Sequence, residues 1–144
     1  MARPDLALPK LIVVVLGLMA GIAGARADDP FAGIERAVRL RDYQGAARQL
    51  ETLAKAGNAE ADFRLATFLR AGRGVARDDV AAFRHMERAA TAGHAEAALG
   101  VAKAYASGIG VKKDGAAARR WLAIAHERGA DGGSELAAAI KDDP

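Results

Sequence analysis

Two consecutive stretches of the chain decide its fold: residues 59–94, AEADFRLATFLRAGRGVARDDVAAFRHMERAATAGH, and residues 95–130, AEAALGVAKAYASGIGVKKDGAAARRWLAIAHERGA. Aligned without a gap, they share 13 identities over 36 positions. The matches include glycine and aspartate positions as well as alanines, which an alanine-rich chain would not give by chance. The chain therefore contains a 36-residue repeat, a period typical of stacked helical units.

Each unit has the pattern of a helix, a loop and a second helix. Apolar residues of the first half recur at helical spacing. Gly72 suits the left-handed conformation at a helix C-terminus. Asp78 is placed to accept the unpaired N–H groups at the start of the next helix, and that helix ends at Gly93. The second unit repeats the pattern, so each unit predicts a helix pair joined by a Gly-x-Gly-Val turn.

The register continues on both sides of the full units. Residues 42–57 match the second half of a unit, and the pair Asp29-Pro30 reads as a capping residue followed by proline at the first helical position. We therefore predict an N-terminal helix pair in 28–58, repeats at 59–94 and 95–130, and a C-terminal capping helix in 131–144. The fold class is an all-α, right-handed solenoid of seven helices, with approximate bounds 30–40, 43–56, 59–71, 78–92, 95–107, 114–128 and 132–141.

The first 27 residues have the layout of a secretory signal peptide. Arg3 and Lys10 are basic, an uncharged apolar run extends from Leu11 to Gly24, and Ala25-Arg26-Ala27 places small residues at a cleavage site. We expect cleavage after Ala27 and a periplasmic or secreted product. The apolar run is short for a bilayer span, which needs about 20 residues. The alternative is an uncleaved segment that anchors a scaffold in the membrane.

Charge and cysteine content limit the function classes. The chain carries a net charge of +3. Residues 1–27 contribute two of these charges (Arg3, Lys10 and Arg26 against Asp5), which leaves the remainder near neutrality. A near-neutral domain gives no support for nucleic-acid binding, which usually requires a basic face. The chain has no cysteine, so disulfides do not stabilise it, and stability must come from helix packing.

The repeat pattern Ala-x-Ala, Gly-x-Gly-Val, Asp, Ala, Ala, Gly resembles the Sel-one-like repeat, a relative of the tetratricopeptide repeat. The resemblance covers residues 59–130 as two full units, and 42–57 fits either repeat type. One departure is that the family's frequent Leu-Gly pair is Leu65-Ala66 and Val101-Ala102 here. The resemblance implies an α-solenoid that serves as an adaptor in signalling or envelope-associated complexes.

Candidates for catalysis are few. Ser107 precedes the turn of the second unit, but no lysine lies three residues later, so the Ser-x-x-Lys motif of penicillin-binding enzymes is missing. His85, His94 and His126 form no metal-binding pair on one helix. We expect no catalytic residue, cofactor or metal. Some exported, cysteine-rich family members are linked to penicillin-type compounds, so binding or hydrolysis of cell-wall or penicillin-like compounds is an alternative function.

A protein partner is the expected ligand, bound on the concave face that the first helix of each unit lines in related repeats. The candidate contact residues are polar side chains of those helices: Arg64, Thr67, Arg70, Lys103 and Ser107. Basic clusters in both units are expected to be solvated, although they would suit an anionic partner such as an acidic protein segment or lipid headgroups. We expect a monomer or a weak homo-oligomer, with membrane contact only if the N-terminal segment is uncleaved.

Overall fold

The computed structural model describes residues 29–141 and places seven helices and no strand in that range. The predicted all-α fold is confirmed, and every helix bound lies within two residues of its predicted position. The predicted signal peptide lies outside the described residues. In chain order the helices are α1 Ala32–Arg39, α2 Tyr43–Lys55, α3 Ala59–Ala71, α4 Asp79–Thr91, α5 Ala95–Ser107, α6 Gly115–Glu127 and α7 Ser134–Lys141.

The chain has two compact structural units, with the boundary between Phe31 and Ala32. All the helices described here lie in the second of these units. Of the first unit, the structure describes residues 29–31. Asp29 Oδ1 accepts the Phe31 N–H at 2.9 Å, and residues 30–31 form a turn. The predicted helix start at Pro30 is therefore two residues too early, because the aspartate closes a local turn before the helix begins.

The helix ends follow the repeated capping residues. A side chain accepts the backbone N–H three residues later at the start of each of five helices, α2 to α6. The capping residues are Asp42, Asn58, Asp78, His94 and Asp114. At the C-termini of α3 and α5, Gly72 and Gly108 adopt left-handed conformations with φ of 63° and 72°. The predicted cap at Asp78 and the predicted helix end at Gly72 are confirmed, whereas the caps Asn58 and His94 were not predicted.

The core is built from alanine, with a few larger side chains between the helices. Ile34, Leu50, Leu65 and Val101 are the largest fully buried side chains among the described residues. Each helix packs against the next one along the chain, and α7 packs against both α5 and α6. Small side chains allow helices to approach closely at normal packing density. None of the helices in residues 29–141 is both long and apolar enough to cross a bilayer.

The C-terminal helix covers the last repeat. Ile140 is buried, and Arg119 donates a hydrogen bond to its carbonyl oxygen at 3.0 Å. Gly133 lies against Leu122 and Leu99, since a Cβ there would come within 2.7 Å and 3.1 Å of their methyl carbons. This contact shields apolar side chains of α5 and α6 that no further repeat covers within the described chain.

Candidate partner-binding groove

Three of the five predicted contact residues lie at one recess. Arg70 of α3 and Lys103 and Ser107 of α5 line a groove of about 130 Å³ that is floored by α4. We call it the inter-repeat groove, because α3 and α5 are the first helices of successive repeats. Arg70, Lys103 and Ser107 are all exposed. Whether they contact a partner stays a prediction, but the fold brings them to one surface.

The other two predicted residues lie elsewhere. Arg64 makes an ion pair with Glu60, one helical turn earlier on α3, and lines a separate depression beside α1 and α2. Thr67 is half-buried, and its hydroxyl donates a hydrogen bond to the Arg64 carbonyl oxygen at 2.6 Å. The rotation of α3 thus separates Arg64 from Arg70.

The floor of the inter-repeat groove is apolar. Met86 and Ala82 of α4 are buried, and Phe83 packs edge-on against Tyr105 with ring centroids 5.3 Å apart. Gly100 leaves room for the Met86 side chain, because a Cβ at position 100 would lie 2.8 Å from the Met86 sulfur. The groove therefore exposes apolar surface that the repeats themselves do not cover.

The rim of the groove carries positive charge. Within the part of the chain that the structure describes, neither Arg70 nor Lys103 has an ion pair or a side-chain hydrogen bond. The acidic residue of the rim, Asp79, is already paired with Arg77 at 2.9 Å. The hydrogen bonds and charge of Asp79 raise the pKa of Arg77. Because Asp79 is occupied in this way, Arg70 and Lys103 leave an uncompensated positive charge at the groove.

Ser107 shows no arrangement for nucleophilic catalysis. Its hydroxyl donates to the Lys103 carbonyl oxygen at 2.8 Å, one turn earlier on α5. An activated serine needs a base within hydrogen-bond reach of its hydroxyl, and among the described residues its hydrogen-bond partners are backbone carbonyls. The side chain is placed to offer its oxygen as an acceptor at the groove.

A buried polar cluster joins α3 to α4 and was not predicted. Asp62 is only 4% exposed. One carboxylate oxygen lies 2.8 Å from His85 Nδ1, and the other accepts from Arg88 at 3.0 Å. Arg88 also donates to the Ala54 carbonyl oxygen at 2.9 Å, which ties the end of α2 to the same cluster.

The cluster belongs to the first repeat alone. The corresponding positions of the second repeat hold Ala98, Trp121 and Ile124, which pack in the apolar core. The sequence does contain a signal for this cluster. Three positions that are apolar in the second repeat hold one acidic and two basic side chains in the first. The cluster is an internal tie between helices, and its groups are satisfied by one another.

A second polar contact lies at the start of α5. His94 Nδ1 accepts the Ala97 N–H at 3.2 Å, and Nε2 lies 2.8 Å from Glu60 Oε2. Since Nδ1 is the acceptor, we assign the ring proton to Nε2, which donates to Glu60. The ring also stacks on Phe63, with centroids 4.5 Å apart. His94 therefore caps a helix and links two repeats at once.

The pKa of Glu60 is lowered by these neighbours. Burial of the carboxyl raises its pKa, but the hydrogen bonds from Arg64 and His94 and the positive charge of Arg64 outweigh burial and bring it below the ordinary value. In residues 29–141, no three or more His, Cys, Asp and Glu side chains gather closely enough to hold a metal ion. The contact between Glu60 and His94 links α3 to the start of α5.

Comparison with known proteins identifies the repeat. The Sel1 repeat model matches residues 59–94 and 95–129. A Sel1 repeat protein from Oxalobacter formigenes is 32% identical, with a TM-score of 0.59 over 60% of this chain and 25% of that one. The protein c5321, a protective antigen of uropathogenic Escherichia coli strains displaying an SLR fold, is 20% identical and shares the fold, with a TM-score of 0.60 over 92% of this chain.

The matching structures are much longer than this chain, which spans 25% of the first and 32% of the second. A search among proteins of curated function gives no match. The comparisons therefore bear on the repeat and its fold, and the function has to be argued from the groove.

Proposed function

This chain carries two Sel1 repeats, and from that premise we propose that it is an exported, non-catalytic adaptor that holds a protein partner in the inter-repeat groove. Sel1 repeats generally serve as protein–protein interaction modules. The observation that carries the proposal is the groove itself, an apolar floor between two cations that have no partner in the described chain.

The groove suits a protein ligand because it combines apolar area with polar orientation. Phe83 and Ile109 offer apolar surface, and burial of such surface stabilises a complex by about 25 cal/mol per Å² before the costs of association. Ile109 lies at the edge of the groove and is 47% exposed, so it adds apolar surface there. Arg70 and Lys103 then fix the orientation of the bound segment.

Export is the second part of the proposal and rests on the sequence. The basic, apolar and small-residue regions of residues 1–27 support recognition as a signal peptide. Mass spectrometry of the protein isolated from its own cells tests this. An N-terminal peptide that begins at Asp28 supports cleavage after Ala27, whereas a peptide that retains residues 1–27 favours the membrane-anchored scaffold.

Affinity capture tests the adaptor function. Tagged protein is isolated from its own cells as the wild type, as the double variant Arg70→Glu with Lys103→Glu, and as a control with Arg84→Glu and Arg120→Glu. The control changes the charge equally at exposed positions that do not line the groove. The proposal expects one dominant partner with the wild type and the control and its loss with the groove variant. Equal recovery with all three would place binding elsewhere, and no partner with any would contradict the adaptor function.

A further inference from the structure

The geometry points to a specific ligand chemistry: the inter-repeat groove recognises a carboxylate next to a bulky apolar side chain, presented by an acidic, apolar segment of the partner protein. This inference rests on the proposed function and adds the chemistry of the bound segment.

Two cations line the recess. Arg70 and Lys103 belong to α3 and α5, which flank the recess, and neither has an ion pair within residues 29–141. Arginine can bind a carboxylate through two parallel N–H groups, and lysine adds a point charge. Asp79 would repel an acidic ligand, but Arg77 neutralises it. A carboxylate that enters the recess therefore meets two unpaired cations and no unpaired anion among the described lining residues.

Equivalent positions along the repeat differ in the size of their apolar side chains. Ala104 lies 36 residues after Phe68, and Met86 lies 36 residues after Leu50. Phe68 is buried and fills its own position in the depression beside α1. At Ala104 the aromatic ring is missing, and Ala104 and Met86 both line the recess. Methionine is flexible and polarisable, so it adapts to an inserted apolar side chain.

The volume of the inter-repeat groove limits the ligand to a short segment of the partner protein. A recess of about 130 Å³ accepts one inserted side chain and not a whole helix. The depression beside α1 is larger, about 320 Å³, but the carboxylate of Glu35 lines it, and Arg64, one of its two cations, is already paired with Glu60. Two cations are also too few for a nucleic acid, whose affinity depends on many phosphate contacts. The groove therefore fits one acidic residue and one adjacent apolar residue.

The probe for the test is a phage-displayed library of random peptides, selected on the purified full-length protein. The inference expects recovered peptides to share Asp or Glu beside Leu, Met or Phe. Affinity is then measured by fluorescence polarisation of a recovered peptide and of its analogue with Asn or Gln in place of the acid. The amide analogue should bind at least about tenfold more weakly, as should the original peptide to protein with Arg70→Glu and Lys103→Glu.

Two controls keep the test decisive. The variant Arg84→Glu with Arg120→Glu should bind within about twofold of the wild type, because it changes the same charge outside the groove. The neutral variant Arg70→Gln with Lys103→Gln should also weaken binding, which separates lost attraction from introduced repulsion. Circular dichroism confirms that each variant retains its helices.

Three outcomes would overturn the inference: no recovered peptide, recovered peptides without an acid, or peptides that bind the groove variant as well as the wild type. Each is distinguishable from failure of the proposed function. A partner captured from cells that still depends on Arg70 and Lys103 would leave the adaptor function standing with a different ligand chemistry. If no partner captured from cells depends on Arg70 and Lys103, both the proposed function and the inferred ligand chemistry are contradicted.

Discussion

The α-carbon of Gly110 lies directly against the backbone carbonyl of Asp79, so closely that a Cβ at Gly110 would stand 2.1 Å from the carbonyl oxygen. Gly74 stands in the same relation to Tyr43, where a Cβ would be 2.3 Å from the carbonyl oxygen. Each Gly-x-Gly-Val turn thus packs on the first residue of a helix in the preceding unit. The glycine that marks the repeat in the sequence is a contact between repeats.

Replacing Gly110 by alanine should destabilise the protein for two reasons. The φ of 74° is strained for alanine, and the new methyl group collides with the Asp79 carbonyl. The matched control is Gly129→Ala, at φ 83° with no heavy atom within 4 Å of the new Cβ. Both variants place alanine at a positive φ, so the difference between their free energies of unfolding reports on the collision alone. We expect Gly110→Ala to be less stable than Gly129→Ala by about 1–3 kcal/mol. Urea denaturation measures it, and equal losses would contradict the contact.

The Asp62 cluster should behave as a unit. Asp62→Ala leaves His85 and Arg88 without their shared carboxylate, and we expect a loss of about 2 kcal/mol, below the roughly 3–5 kcal/mol of fully buried pairs because the Arg88 side chain is 54% exposed. The combined change Asp62→Ala, His85→Trp and Arg88→Ile installs the residues of the second repeat. That variant should lose less than Asp62→Ala alone, since no charge is left unpaired. A triple variant less stable than Asp62→Ala in urea denaturation would contradict this.

His94 should be replaceable by asparagine but not by alanine. Asn58 caps α3 in the same way that His94 caps α5, so His94→Asn can retain the hydrogen bond to the Ala97 N–H. His94→Ala loses the cap, which costs about 1 kcal/mol. Both variants lose the Glu60 and Phe63 contacts, so the difference reports on the cap. Thermal unfolding of the two proteins measures it, and identical midpoints would argue against capping by the ring nitrogen.

The Glu60 contact should stabilise the protein in a pH-dependent way. The pKa of Glu60 is lower in the folded protein than its ordinary value of 4.5. Its contribution is therefore fully present above about pH 4.5 and is lost as the pH falls through the folded pKa. Since the Glu60 side chain is 39% exposed, solvent screening limits the contribution to about 0.5 kcal/mol.

Comparison with Glu60→Gln tests this. At neutral pH the wild type should exceed the variant in free energy of unfolding by that small margin, and the margin should shrink as the pH falls below 4.5 and through the lowered pKa of Glu60. A margin that grows on acidification would show that Glu60 is not held in its charged form by Arg64 and His94.

The fold is predictable from the sequence because its determinants are local and occur twice. Gly72 and Asp78 end one helix and begin the next through contacts with their own neighbours in the chain, and Gly108 and Asp114 repeat the pattern. The error at Pro30 has the same origin, since Asp29 has an equally local alternative in the turn it forms with Phe31.

The candidate site is less predictable, because it depends on how the helices rotate against one another. Arg64 and Arg70 are both polar residues of α3, but packing turns Arg64 toward α1 and α2 and Arg70 toward α5. Asp62 escaped prediction because its partners lie 23 and 26 residues away, and a hydrophobic pattern reads an aspartate as a surface residue. Long-range pairs of this kind are visible only in the folded chain.

The central claim is that the inter-repeat groove is the partner-binding surface, and site-specific photo-crosslinking in the protein's own cells tests it most directly. A photoreactive amino acid replaces Ser107 at the groove or, as the control, Arg120 on α6. We predict a discrete covalent adduct from position 107 that is absent from position 120 and disappears when Arg70 and Lys103 are changed to glutamate. An adduct from position 120 alone, or none from position 107, would contradict the claim.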